Sequence, residues 1–506
     1  MEHQAGARPD DADDHSDDEI RRDSRDLQRG FVINLFGYLF KIAYAGLLVA
    51  TIRLYGPERF GVFSVVQAAL YLAVRTCSFG FEKGILWWVN QPEAKGRAWR
   101  GLRPVITLSW IASSLVAVGL ALAGGPLISE WAGSETAAAE LRWMAFGLVP
   151  MTLMDILIHA SLGKRRLEAQ VLVREGLASL TLVLAAVVYY YMGLEAQGLA
   201  LAFVTSYLAG LAGALWVFTR AYKDEPRSAG THPFAVPPKL VRYATPMWLS
   251  EVSTSLLLRM DVYLLAALSD PKTVGIYSAC VQLGNSIRQV RRSFDPMVLA
   301  IVAEIGVSKD RRRLAAGLSQ ATVLVMAIQG LIFAFMVAFA DWLMPLLGEG
   351  FEGSAMAVLI LCSFWVLDGI FGLHGIIVAG YGRTELSLLN VLVTIGALAT
   401  MMPILVPQYG LEGAALAVGL AYLVRNALQV AESRLITGTW GYTREVLWLV
   451  VIAGAAAIVM GLSWLGLLPL GDVAARVGAF LAFLMVAVPG AWWLHRSGKL
   501  HLSTKR

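Results

Sequence analysis

The chain has 506 residues, 57% of them hydrophobic and only 16% charged, with a mean hydropathy of +0.61 and a formal net charge of +5. A catalytic domain in water needs an uninterrupted polar region on the order of 100 residues, and the longest internal polar stretch here runs only from 220 to 242. Lys and Arg are concentrated in loops, where they report membrane topology and contact with anionic lipid, so nucleic acid is not an expected partner.

The chain begins with an Asp-rich tail, 1–29, nearly free of apolar residues. That order is the opposite of a secretory signal, and the segment reads as a disordered cytoplasmic extension. From Phe31 to Leu494 about fourteen apolar stretches follow one another, each near the ~20 residues a helix needs to cross a bilayer. A bilayer offers backbone polar groups no water to bond, so the expected fold is all-α: a polytopic membrane protein of about fourteen helices, spans 1 to 14. Cys77, Cys280 and Cys362 lie inside apolar stretches without metal-ligand spacing and read as packing residues.

Loop charge sets the expected topology. Lys83, Lys95, Arg97, Arg100 and Arg103 follow span 2, Lys164 to Arg166 follow span 4, Arg220, Lys223, Arg227, Lys239 and Arg242 follow span 6, and Lys309 with Arg311 to Arg313 follow span 8. The connections 124–139, 193–198, 341–353, 407–413 and 467–472 carry no Lys or Arg. The basic loops are expected in the cytoplasm and the others outside, with both termini cytoplasmic in a bacterial inner membrane. Trp87, Trp88, Trp131, Trp342, Trp440, Trp492 and Trp493 stand near span ends, as interfacial anchors do.

A repeat lies beneath the hydrophobicity. GPERFGVFS (56–64) joins spans 1 and 2, DPKTVGIYS (270–278) joins spans 7 and 8, and the turns into spans 6 and 12 both read GLE. The expected organisation is two six-helix halves, 30–222 and 242–437, joined by a cytoplasmic linker 223–241, with spans 13 and 14 and a basic C-terminus in 438–506. Repeat-built transporters place their site at the interface of the halves, near mid-membrane.

RLYGPERFGVFSVVQ (53–67) and RYATPMWLSEVSTSLLLRMDVYLLAALSDPKTVGIYSACVQL (242–283) carry a resemblance that covers nearly everything after the tail. The chain resembles the polysaccharide transporters, the oligosaccharide flippases of the multidrug and oligosaccharidyl-lipid exporter superfamily. The second stretch resembles that family's start of the second half, with a Pro opening span 7, an Asp at Asp261 and a Gly-apolar-Tyr turn. The resemblance implies a flippase that moves undecaprenyl-pyrophosphate-linked oligosaccharide units from the cytoplasmic to the outer leaflet for O-antigen, capsule or exopolysaccharide assembly. It also implies membrane lipids and polysaccharide-assembly proteins such as a polymerase as partners. The acidic tail departs from the family pattern.

Charges inside a membrane are costly, so they mark function. At 1.5 Å per residue, Arg75, Asp155, Arg288, Asp368 and Arg425 lie at a common depth of roughly 20 Å, as one polar layer. Arg288 and Arg292, and Arg291 and Asp295, are each four residues apart and share a helix face, while Lys41 and Arg259 lie within the first spans of the two halves. The cations Lys41, Arg75, Arg259, Arg288, Arg291, Arg292 and Arg425 outnumber Asp155, Asp261, Asp295 and Asp368, which predicts a cationic cavity for an anion, and the family's ligand carries a pyrophosphate. Asp155, Asp368 and Asp261 are candidates for ion coupling. Pairwise salt bridging is the structural alternative. His159 and His374 read as packing or interfacial residues.

No nucleophile with a base partner, phosphate loop or metal-ligand cluster is present in the pattern, so neither a cofactor nor catalysis is expected. Two other function classes compete: a membrane polymerase or glycosyltransferase using the same lipid-linked donor, against which the short outward loops argue, and a cation-coupled drug exporter, against which the arginine excess argues. Spans 13 and 14 lack intramembrane charge and are expected to serve the polyprenyl tail, or else to act as a brace.

Overall fold

The computed structural model describes residues 48–438, together with Phe40 and Tyr44, apart from 167, 227–231, 309–310 and 382. The acidic tail, Lys41, spans 13 and 14 and the C-terminal end lie outside the described residues.

Every regular element among the described residues is helical. In chain order these are α1 (Leu48–Cys77), α2 (Phe81–Trp88), α3 (Trp99–Ala132), α4 (Thr136–Ala145), α5 (Leu148–Gly163), a π-helical segment (Ala169–Ala178), α6 (Ser179–Tyr191), α7 (Gly198–Ala221), α8 (Pro238–Leu268), α9 (Pro271–Ser308), α10 (Arg311–Leu346), α11 (Ala355–Phe371), α12 (His374–Gly380) and α13 (Thr384–Thr437). The all-α polytopic fold expected from the hydropathy is therefore present.

Among the described residues six helical stretches are long and apolar enough to cross a membrane, and eight if the pairs α4–α5 and α11–α12, each bent by 45°, count as single spans. Two continuous helices hold more than one expected span. Gly56 inside α1 has φ 76° and Gly410 inside α13 has φ 54°, a backbone that L-residues rarely adopt, so the chain turns at both points. The helices α8 and α9, 31 and 38 residues long, are less apolar, and they carry Arg259, Asp261, Arg288, Arg291, Arg292 and Asp295. The outer face of α3 is inverted relative to a water-soluble protein: Leu115, Val118 and Leu122 are 57–80% exposed, the face a helix turns to lipid.

The described chain forms two compact units. The first comprises 70–125 and 139–251 with the residues before 52; the second comprises 52–69, 126–138 and 252 onward. This division differs from that of the repeat, because 52–69 and 126–138 group with the later part of the chain.

In the first unit, Phe81, Ile85 and Trp88 of α2 belong to one buried cluster with Ile156, Leu157 and Ala160 of α5, Val217 and Phe218 of α7, and Leu240 and Ala244 of α8. The second unit brings the two repeated motifs onto each other. A Cβ built on Gly61 would fall 1.8 Å from the carbonyl oxygen of Pro271, and one built on Gly275 would fall 1.8 Å from that of Pro57. The two helices cross backbone to backbone at a point only glycine allows. Beside the crossing, the Tyr263 hydroxyl donates to the Ala68 carbonyl at 2.6 Å and the Tyr263 ring lies 5.2 Å from that of Trp131.

Candidate functional site

Each unit holds one buried cluster of arginines and carboxylates. In the first, α1 ends at Cys77 and the chain reverses through Gly80, whose φ is 70°, returning Glu82 on α2 to the side of Arg75. The Arg75 Nη1 then lies 3.2 Å from Glu82 Oε1 and 3.2 Å from Asp155 Oδ2 on α5. The other oxygen of Asp155 pairs with Arg174. Arg174 sits in the π-helical segment, whose wider turn is a common device at sites that need a side chain re-aimed. Glu82 is fully buried and Asp155 nearly so. Two guanidiniums face two carboxylates, and this cluster is neutral.

In the second unit α9 supplies Arg288, Arg291, Arg292 and Asp295, α11 supplies Trp365 and Asp368, and α13 supplies Tyr422 and Arg425. Asp368 is 1% exposed and accepts from Arg291 Nε at 2.8 Å and from Arg425 Nη2 at 3.1 Å. Arg291 also reaches Asp295 at 3.0 Å, the i,i+4 pair expected from the sequence. Arg288 has no carboxylate within 4 Å among the described residues. Its Nη2 donates to the Tyr422 hydroxyl at 2.7 Å, and its guanidinium lies 4.3 Å from the centre of the Trp365 ring and 4.8 Å from that of Tyr422. The Arg425 guanidinium is 4.3 Å from the Tyr422 ring. The Nε atoms of Arg288 and Arg425 are buried without a hydrogen-bond partner. Three guanidiniums, those of Arg288, Arg291 and Arg425, against two carboxylates leave this cluster with one positive charge in excess.

The expected single polar layer thus resolves into two networks. Arg75 meets Asp155 in one, and Arg288, Arg291, Arg425 and Asp368 meet in the other. Asp261 stands apart from both, accepting from the Tyr277 hydroxyl at 2.9 Å and from the Val262 N–H at 2.9 Å. Arg259 is half-buried on the same helix, and Arg292 is exposed. His159 Nδ1 lies 2.8 Å from the Asp155 carbonyl oxygen and His374 Nδ1 lies 2.6 Å from Ser433 Oγ, both as packing histidines within the helical scaffold. The three cysteines are buried and unpaired. No group of three or more His, Cys, Asp or Glu side chains among the described residues could hold a metal ion.

Sequence reasoning missed Glu82, Arg174, Trp365 and Tyr422. For Glu82 a signal was present: the intervals from Arg75 to Arg288, from Glu82 to Asp295 and from Asp155 to Asp368 are equal, and they nearly match the offset of the repeated motifs. An apolar groove of about 840 Å³ in the second unit is lined by Phe371, Leu423, Asn426, Val430, Arg434 and Leu435.

The comparisons with known proteins agree with this architecture. The lipid II flippase MurJ in an inward closed conformation has a TM-score of 0.69 at 11% identity, over 92% of this chain and 99% of that one. An inward-facing multidrug resistance MATE family transporter of the MOP superfamily has 0.61 at 15% identity, over 78% and 94%. The MATE multidrug transporter DinF-BH has 0.55 at 15% identity, over 81% and 94%. These likenesses establish the fold, and the proteins that share it are a flippase and transporters, not enzymes. No curated protein matches the chain significantly in sequence. The model of the family described as polysaccharide biosynthesis protein matches residues 27–294, more than half of the sequence, so the chain belongs to the polysaccharide biosynthesis protein family.

Proposed function

We propose that this protein is a flippase that carries undecaprenyl-pyrophosphate-linked oligosaccharide units from the cytoplasmic to the outer leaflet of a bacterial inner membrane, for assembly of a surface polysaccharide. The observation that carries the reading is the excess positive charge in the second unit's cluster, where Arg288 has no carboxylate within 4 Å among the described residues and Arg288 and Arg425 keep buried Nε donors unpartnered. A buried guanidinium left without a counter-charge is costly, and a pyrophosphate accepts from forked donors without any risk of their deprotonation. The family's place in polysaccharide biosynthesis and a fold shared with a lipid II flippase support the same cargo class. A carrier of cationic drugs is disfavoured by the sign of the cluster.

In this reading Arg288 and Arg425 hold the pyrophosphate as the binding site alternates between leaflets, with both termini in the cytoplasm. Of the three candidate coupling carboxylates, Asp155 and Asp368 each sit between two guanidiniums. Asp261 has no guanidinium within 4 Å among the described residues and is the one proposed to exchange an ion.

Depletion of the protein should strand lipid-linked oligosaccharide in the cytoplasmic leaflet and remove the surface polysaccharide. Restoring Arg288→Ala or Arg425→Ala at normal membrane abundance should not recover export, whereas Arg288→Lys should recover part of it, keeping the charge and losing the fork. Normal leaflet distribution after depletion would overturn the reading.

A further inference from the structure

The two charge clusters share one spacing along the chain. Arg75, Glu82 and Asp155 in the first unit correspond, at one constant spacing along the chain, to Arg288, Asp295 and Asp368 in the second. The carboxylate pattern is kept: an acid seven residues after the arginine, and an aspartate on a later helix. The wiring is not. In the first copy one guanidinium, Arg75, bridges both acids. In the second copy the bridge between Asp295 and Asp368 is made by Arg291, whose counterpart in the first copy is Ser78, a residue that cannot make it.

We infer that the duplicated cluster has divided its work: the first copy is a closed clamp joining α1, α2 and α5, while in the second Arg291 has taken over the clamp and released Arg288, with Trp365 and Tyr422, to engage an anionic diphosphate ligand. The geometry of Arg288 fits the released role. Its guanidinium has exchanged carboxylates for two aromatic faces and a phenol hydroxyl. Those contacts fix its plane and leave its charge uncompensated. Its Nε remains buried and unpaired. Arg425, whose counterpart at the same spacing is Ala212, adds a cation that the first copy lacks. By contrast Arg75 has both its acids in place.

The inference deepens the flippase reading and rests on it for the cargo, but its test needs no glycan. Full-length protein purified in lipid nanodiscs would be titrated with inorganic pyrophosphate by calorimetry, and its thermal unfolding followed in parallel. Arg288→Gln should weaken pyrophosphate at least tenfold and leave the unfolding temperature unchanged. Arg75→Gln should lower the unfolding temperature and leave the affinity within about twofold. If Arg75→Gln fails to accumulate, Arg75→Lys, which retains one charge contact, supplies the affinity. Equal losses of affinity in the Arg75 and Arg288 variants would overturn the division of labour. Absence of pyrophosphate binding by the unmodified protein would overturn the assignment of the ligand, while the leaflet assay above would still judge the flippase reading.

Discussion

The crossing of Gly61 and Gly275 gives the fold its sharpest numerical test. A methyl group on either glycine would start 1.8 Å from a carbonyl oxygen of the opposite helix, and on Gly61 also 2.8 Å from the Gly275 nitrogen. Even the close carbon–oxygen approaches of weak C–H···O bonds begin at about 3.3 Å, so the helices must part by the difference. The obstacle on both sides is backbone, which cannot rotate away as a side chain does. Overpacking of this kind costs about 1–3 kcal/mol, with this site at the upper end, or roughly a hundredfold in the local packing equilibrium at about 1.4 kcal/mol per tenfold. Gly119 in α3 and Gly396 in α13 are the controls, because a Cβ there meets nothing within 4 Å, and alanine should gain about 0.5–1 kcal/mol of helix propensity. The assay is thermal and denaturant unfolding of purified protein carrying Gly61→Ala, Gly275→Ala, both together, or a control substitution. Both single variants should be less stable than wild type, and the double variant should lose less than the sum, since the first methyl already separates the helices. Single variants as stable as Gly119→Ala, or a strictly additive double variant, would refute the crossing.

Two further outcomes are expected. A cysteine at Ser134 should react with an impermeant thiol reagent applied outside intact cells and one at Ser228 should not, following the loop charges; the reverse pattern would invert the topology. A polyprenyl-pyrophosphate analogue with its photoreactive group on the tail should crosslink within 446–494, the span 13 and 14 segment. Adducts confined to the groove at Phe371, Leu423 and Val430 would instead place the tail against α11 and α13, and retained export after deletion of 446–494 would remove any need for that segment.

Membrane residence, the all-α class and the family were legible in the sequence because each is written along the chain. A long unbroken apolar run permits only one solution in lipid, and the two motifs that begin at Gly56 and Asp270 can be aligned without coordinates. Within one helix the pairing was legible too: Arg291 and Asp295, four apart, meet as spacing requires. Contacts between helices were not. Which acid each arginine finds depends on how each helix is rotated and where it bends, and helix rotation is decided by packing against neighbours, not by local pattern. Glu82 looked like one more charge beside Lys83 in a basic connection until the turn at Gly80 carried it back to Arg75. Arg174 sat near the start of an apolar span with nothing in the local pattern to name its partner, and in the structure it lies in the π-helical segment and pairs with Asp155. Trp365 and Tyr422 read as two apolar-span aromatics among many, and only the meeting of α9, α11 and α13 makes them the cradle of Arg288. The sequence by itself therefore determined that positive charge is buried here, and the tertiary structure alone decided which of those charges meet carboxylates and which do not.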